Sequence, residues 1–438
     1  MKEATKSTTA SKATQTARKV RQMIKNMNRE AHEASAAGEP VAYCFFGGIY
    51  DEILRAMDIK MVFPENWAPI CAAKRDTERF LKAAEAEGYS HNLCTYLTCS
   101  LGHDIMRFQS GEAPPDAPDG GLAKPTLMLG QGHMVCDPRT KFFQALQRYH
   151  DVPMYVNNTL YPPYDANLKE VRPYYINYYV EELKGVIGFL ERNTGRKMDW
   201  DQLNHRVDLS FESKRIYSEV YELRKAVPSP MPTQDAMTAM VPGLALLGMQ
   251  ETVDLYQELY DEVKHRVDNK IGAIEDEKYR LLWGAGIPPW YALLTFNLFE
   301  ALGAVFAIDV PYRPFDPIEV PRTVTHPLER LAWRWFGEMT ERFEKAQKHT
   351  GSPAIQLLVD LIEDYQVDGI VMNRAFSCRG IHIGELYKLR RLKEYTDVPS
   401  MIMEYDMVDM SGYSEEGARE QVSEFVELVA DWKSQKHR

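Results

Sequence analysis

From Val41 onward, short apolar runs alternate with amphipathic stretches; the alternation stops near Asn167 and resumes near Lys278. VAYCFFGG at 41–48, KMVFPEN at 60–66 and TLMLG at 126–130 read as buried strands. IYDEILRAMDI, CAAKRDTERFLKAAEAEGY and the end of SHNLCTYLTCSLGHDIMRF carry helical spacing between them. GEAPPDAPDGGLAKP, rich in Pro, Gly and Asp, reads as an exposed loop. After Lys278 the strands are YRLLWGAG, AVFAIDV and DGIVMN, separated by helical WYALLTFNLFEALG and SPAIQLLVDLIEDY. Between the two alternating regions lie long helical patterns with no convincing strand. Strands that alternate with helices form parallel β/α units joined by right-handed crossovers. The expected class is therefore α/β: two Rossmann-like (flavodoxin-like) parallel-sheet domains with a helical domain inserted between them. The expected divisions are a polar tail and first helix at 1–35, an α/β domain at 36–166, a helical domain at 167–277 and a second α/β domain at 278–438.

The chain has 438 residues, enough for two or three domains, and its 45% hydrophobic content can fill a large core. Its 63 acidic residues outnumber 52 basic ones, a net charge of -11, which argues against a general nucleic-acid binder. The first 25 residues are polar and lack the apolar segment of a secretory signal, so they read as a frayed tail leading into a helix. No run approaches the roughly 18 apolar residues of a membrane span. A soluble, cytoplasmic protein is the expectation.

Two segments echo each other. HMVCDPRTKFFQALQRYHDVPMYV begins at His133, and FSCRGIHIGELYKLRRLKEYTDVPSMIM begins at Phe376. Each runs from a cysteine through an amphipathic stretch to Asp-Val-Pro; the cysteine-to-aspartate spacing is 15 residues in one and 19 in the other. Cys136 lies just beyond a strand, where Asp137 and Pro138 favour a helix start, and Cys378 lies just beyond another. Ligands of open α/β sheets bind beyond the carboxyl ends of strands, and helix starts favour anions, a thiolate among them. Cys94, in HNLCTYLTCS, stands at a third loop-to-helix transition. Three separated cysteines leave buried thiols and a sulfur-rich metal site both open, because the compact Cys-x2-Cys pairs of zinc ribbons are absent.

LCTYLTCSLG, HMVCDPRTKFF, SCRGIHIGELYKLRR and MEYDMVD resemble, in order, the motifs of the 2-hydroxyacyl-CoA dehydratase and benzoyl-CoA reductase superfamily. Length and three-part organisation are most similar to the larger of the two active-site subunits of ATP-dependent class I benzoyl-CoA reductases. The resemblance implies that Cys94, Cys136 and Cys378 hold a 4Fe-4S iron-sulfur cubane, alone or as half of a sulfide-bridged double cubane. It also implies reduction of an aromatic acyl-CoA to a cyclic diene thioester. Implied partners are a homologous smaller subunit and ATPase activator subunits carrying their own cluster, with ferredoxin upstream. The alternatives are a 2-hydroxyacyl-CoA dehydratase subunit, a double-cubane electron-transfer protein acting on small molecules, and a metal-free structural subunit.

Cys44, Cys71 and Cys99 fall outside these motif positions and read as buried thiols, with Cys71 the first exception to consider. His133 is the candidate proton donor, with His103 and His382 behind it. Glu404 and Asp406 read as caps of the next helix, with site carboxylates as the alternative. Arg374 and Arg379 flank Cys378 and suit either a phosphate or a cluster's negative charge. Trp67, Trp283, Trp290 and the tyrosines from Tyr174 suit core packing or an aromatic pocket. No G-x-x-x-x-G-K-[ST] occurs, and Gly130 to Gly132 read as a tight turn, so ATP hydrolysis is not expected of this chain.

Overall fold

A computed structural model describes residues 13–48, 50–132 and 136–436. Two four-stranded, wholly parallel sheets organise it. The first contains β1 (Val41–Cys44), β2 (Lys60–Val62), β3 (Leu127–Gly132) and β4 (Met154–Asn158) in the order β2-β1-β3-β4. The second contains β5 (Tyr279–Ala285), β6 (Ala304–Asp309), β7 (Gly369–Asn373) and β8 (Ser400–Met403) in the order β6-β5-β7-β8. The two orders are the same: each sheet grows outward on one side of its first strand and then on the other. Each therefore has a switch point between its first and third strands, where a crevice opens at the carboxyl ends. β1, β6 and β7 are buried along their whole length. Helices cover both faces of such strands, which explains why they read as unbroken apolar runs.

Between the sheets run the helices Leu168–Thr194, Trp200–Leu223, Thr233–Ala239, Pro242–Ala245 and Gln250–Asp268. Tyr217 and Tyr256 stack across two of them with ring centroids 4.5 Å apart. A single apolar core continues from the first sheet through these helices to the second. The helix Pro327–Met339, far along the chain, packs onto Leu168–Thr194 and sets its Trp335 against Tyr179. Its Arg334 reaches Glu52 of the helix Asp51–Ala56 in a fully buried ion pair and donates to the carbonyl of Gly48 at 3.1 Å.

The first helix, Gln15–Ala36, starts inside the stretch read as a tail. Thr14 donates to Asp235 at 2.9 Å, and the amide and hydroxyl of Thr16 donate to Glu262 at 3.1 and 2.8 Å. Distant acidic side chains thus fix a start that no local residue specifies. KMVFPEN is a strand only to Val62, because Pro64 opens a helix, Pro64–Ala73. The helical pattern after Cys71 is broken in two, with Arg75 in the left-handed region (φ 57) and a new helix at Glu78–Ala86. Among the described residues, no helix is long and apolar enough to cross a membrane.

Candidate functional site

The carboxyl ends of both sheets border one cavity of about 390 Å³. Its walls come from Phe46 beyond β1, Cys136 beyond β3, Gly286 and Ile287 beyond β5, Val310 to Tyr312 beyond β6, Cys378 beyond β7 and Met407 beyond β8. Cys94, Met240, Leu244 and Leu357 complete much of the rest. The walls are mostly apolar, and the volume falls within the range of small-molecule sites.

Gly286 is required where it stands. Its φ is +86, and a Cβ there would overlap the carbonyl oxygen of Asn373, so β5 and β7 could not both reach the cavity floor with a larger residue. Asn373 ties this floor together, donating to the carbonyls of Ile287 (2.7 Å) and Tyr405 (2.9 Å) and accepting from the Tyr405 amide at 3.1 Å.

All three motif cysteines line this cavity, and each is partly buried. Each also immediately precedes a helix: Cys94 before Thr95–Ser110, Cys136 before Asp137–His150, Cys378 before Arg379–His382. Backbone amides three residues on, at Leu97, Arg139 and Ile381, act on the respective sulfurs and favour the thiolate. None of them closes a regular cap hydrogen bond to the free thiol. Burial dominates and pushes all three thiols up, Cys378 to about 11. The charges of Cys136 and Cys378 raise Cys94 further, whereas the Arg139 guanidinium pulls Cys136 down. Three electrically coupled thiols in an apolar wall resist becoming anions unless a cation offsets their charge. Soft sulfur donors and amides ready to bond a thiolate fit an iron-sulfur group. Among the described residues, no three His, Cys, Asp or Glu side chains converge as a set for a single metal ion.

Arg139 also pairs with Glu65 at 2.7 Å and lies 5.1 Å from the centre of the Phe45 ring. On the facing wall Trp290 donates its indole N–H to the Tyr96 hydroxyl, and Tyr312 packs 5.8 Å from Trp290. Lys388 reaches the cavity from the helix Glu385–Leu392, and burial lowers its pKa. One turn earlier, Glu385 is buried with both carboxylate oxygens lacking a hydrogen-bond partner, and burial pushes it up to about 7. Sequence reading misses Glu65, Tyr96, Arg139, Tyr312, Glu385 and Lys388. A local signal exists only for Arg139, which occupies the third helical position after a motif cysteine.

The other candidates separate. His133 lies outside the described residues. His382 is buried: its Nδ1 accepts from the Ala375 amide at 2.7 Å, and its Nε2 stands 3.4 Å from the Ile287 amide, so it joins two strand-exit loops. Glu404 pairs with Arg374, and Arg379 pairs with Asp137 at 2.9 Å. Asp406 is buried and accepts from the amides of Val408 (3.2 Å) and Asp409 (3.1 Å), as a turn cap does. Trp67 and Trp283 are core residues, Tyr174 is exposed, and Trp290 alone of these aromatics borders the cavity. Cys44, Cys71 and Cys99 are buried away from the cavity wall, and Cys71 lies against Cys99.

His103 belongs to a buried polar cluster. Its Nδ1 lies 2.9 Å from Asp104, its Nε2 accepts from the Leu122 amide at 3.2 Å, and His150 Nε2 reaches Asp104 at 2.8 Å. Burial lowers the pKa of His103; for Asp104 burial opposes the charge, but His103 and His150 override it and hold the carboxyl far below its usual range. Both folded pKa values are depressed, so both contributions are complete above the unfolded values, about 6.5 and 3.9, and are lost as pH falls below them. Urea unfolding should show stability declining from about pH 6.5 downward, and Asp104→Asn should flatten the decline below about pH 4 while costing about 1 to 3 kcal/mol at pH 7. An unchanged acid limb in the variant would contradict this assignment.

Fold and cavity define a two-sheet α/β protein with a thiol-rimmed apolar pocket where the carboxyl ends of its strands meet. The chain belongs to the 2-hydroxyglutaryl-CoA dehydratase, D-component family, whose model matches residues 49–429. It is 25% identical over 412 residues to the B-type subunit of benzoyl-CoA reductase from Thauera aromatica, covering 90% of this chain and 89% of that one. It is 25% identical over 389 residues to the (R)-phenyllactyl-CoA dehydratase alpha subunit of Clostridium sporogenes, covering 88% of each. A third relative, the (R)-2-hydroxyisocaproyl-CoA dehydratase alpha subunit of Clostridioides difficile, is 22% identical over 421 residues, covering 94% of this chain and 96% of that one.

Proposed function

We propose that this chain is an active-site subunit of an ATP-dependent benzoyl-CoA reductase, with Cys94, Cys136 and Cys378 holding a 4Fe-4S cubane against the acyl group. The observation that carries the reading is the meeting of these three cysteines, from three separate segments, on one aromatic-walled cavity. When bound, such a cluster supplies electrons one at a time at low potential.

The protein's own part is to hold a flat acyl group, exclude water and handle protons. Phe46, Tyr96, Trp290 and Tyr312 offer aromatic faces and edges to a ring. The Trp290 indole N–H donates to the Tyr96 hydroxyl and so fixes the two rings relative to each other. Lys388, with burial lowering its pKa, can hold a proton at Nζ beside the acyl group and give it up more readily than an exposed lysine would. The sequence contains no phosphate-binding G-x-x-x-x-G-K-[ST], so ATP hydrolysis falls to activator subunits with their own cluster, fed by ferredoxin. A homologous smaller subunit would complete the complex, and the cytoplasm is its proposed location.

The matching 25% identity to a phenyllactyl-CoA dehydratase subunit supports a second reading, removal of water from an aromatic 2-hydroxyacyl-CoA. The anaerobic complex, supplied with ATP and a low-potential donor, distinguishes them. Loss of benzoyl-CoA with net consumption of electrons is expected. Turnover restricted to a 2-hydroxyacyl-CoA, with no net electron consumption, would assign the dehydratase reaction instead.

A further inference from the structure

Asp406 does more than cap a turn. Its carboxylate accepts from the Thr95 hydroxyl at 2.6 Å and from the Ser377 hydroxyl at 2.5 Å, and those hydroxyls lie 3.1 Å apart. Thr95 directly follows Cys94, and Ser377 directly precedes Cys378. All three polar side chains are buried. The loop after β8 thus clamps a cysteine carried by the first half of the chain to a cysteine carried by the second half. The exposed Arg379–Asp137 pair joins the flanks of Cys378 and Cys136, but in water such a pair contributes little. The Asp406 contacts are charge-assisted, short and shielded, so they set the geometry.

We propose that Asp406, through Thr95 and Ser377, is a positioning residue that fixes the separation and orientation of the Cys94 and Cys378 sulfurs for the metal group they hold. This deepens the reading above and rests on it. The carboxylate makes no hydrogen bond to either thiol; its bonds to Thr95 and Ser377 remove freedom from the two residues next to the sulfurs. Loss of an outer-shell partner of this kind typically weakens metal binding by about 10- to 100-fold.

The test uses the anaerobically purified complex carrying Asp406→Asn, with Thr95→Val and Ser377→Ala as milder changes that each remove one hydroxyl. Three quantities are read: the rate at which a chelator strips iron, the EPR spectrum of the reduced protein, and the thermal midpoint. The expected result is iron loss faster by about 10-fold or more in Asp406→Asn, with a shifted EPR spectrum. The two hydroxyl variants should each give part of that effect, and combining either with Asp406→Asn should add little. If the variants lower the thermal midpoint but keep the wild-type stripping rate and spectrum, Asp406 is structural and the inference falls. If Asp406→Asn does not fold, wild-type behaviour in both hydroxyl variants overturns it equally. A wild-type complex without iron-sulfur would instead refute the underlying functional reading.

Discussion

Cys136→Ser is expected to strip the protein of its iron-sulfur group and to lower acyl-CoA turnover by more than the roughly 10- to 100-fold cost of losing an outer-shell partner. Serine keeps the shape of the side chain but exchanges a soft, ionisable sulfur for a hydroxyl that stays protonated in an apolar wall. Unfolding cannot account for the loss, because Cys136 is the residue before a helix, where serine is among the preferred caps. The thermal midpoint of the metal-free chain should stay the same or rise slightly. Iron and sulfide analysis with EPR of anaerobic material provides the check. Unchanged spectra in Cys136→Ser would show that this sulfur is not a ligand.

The second large effect is on stability. Glu52 is fully buried, and burial opposes its charge; the Arg334 guanidinium more than compensates and pulls its pKa down. Arg334→Met keeps the apolar stem but leaves that carboxylate without its cation. Breaking a buried pair from one side costs about 3 to 5 kcal/mol. Neighbouring Asp51, pushed by burial up to about 7, would lose a stabilising cation as well. Denaturant unfolding of Arg334→Met should move by that amount, and adding Glu52→Gln should recover a large part of it. If the double variant is no more stable than Arg334→Met, burial of the charge is not the cause. Arg334 comes from a late helix and Glu52 from an early one, so a single coincident unfolding transition by different probes is expected in the same measurement if the two halves fold as one cooperative unit.

Much of the fold is legible in the sequence because parallel strands buried on both faces leave continuous apolar runs, as at Val41–Cys44 and Gly369–Asn373. The three cysteines are legible as helix entrances because Asp137-Pro138 and the turns after Cys94 and Cys378 are local signals. Contacts between distant residues have no such signature. Thr14 and Thr16 meet Asp235 and Glu262, which advances a helix start into an apparent tail. Glu65 meets Arg139 on the cavity wall, and Asp406 meets Thr95 and Ser377; each pair is ordinary in its own sequence neighbourhood. The helix Pro327–Met339 does not figure in the sequence expectations, and its role in joining the halves depends on Arg334 finding Glu52. What a one-dimensional reading loses is the polar network that holds the sulfurs in place.

EPR spectroscopy of the reduced, anaerobically purified complex, recorded with and without benzoyl-CoA and alongside iron and sulfide analysis, tests the central claim most directly. The account predicts stoichiometric iron and sulfide bound by this chain, and a cluster signal that changes when the aromatic thioester enters the cavity. A chain that binds benzoyl-CoA but carries no iron or sulfide, or a cluster signal indifferent to the bound thioester, would contradict it.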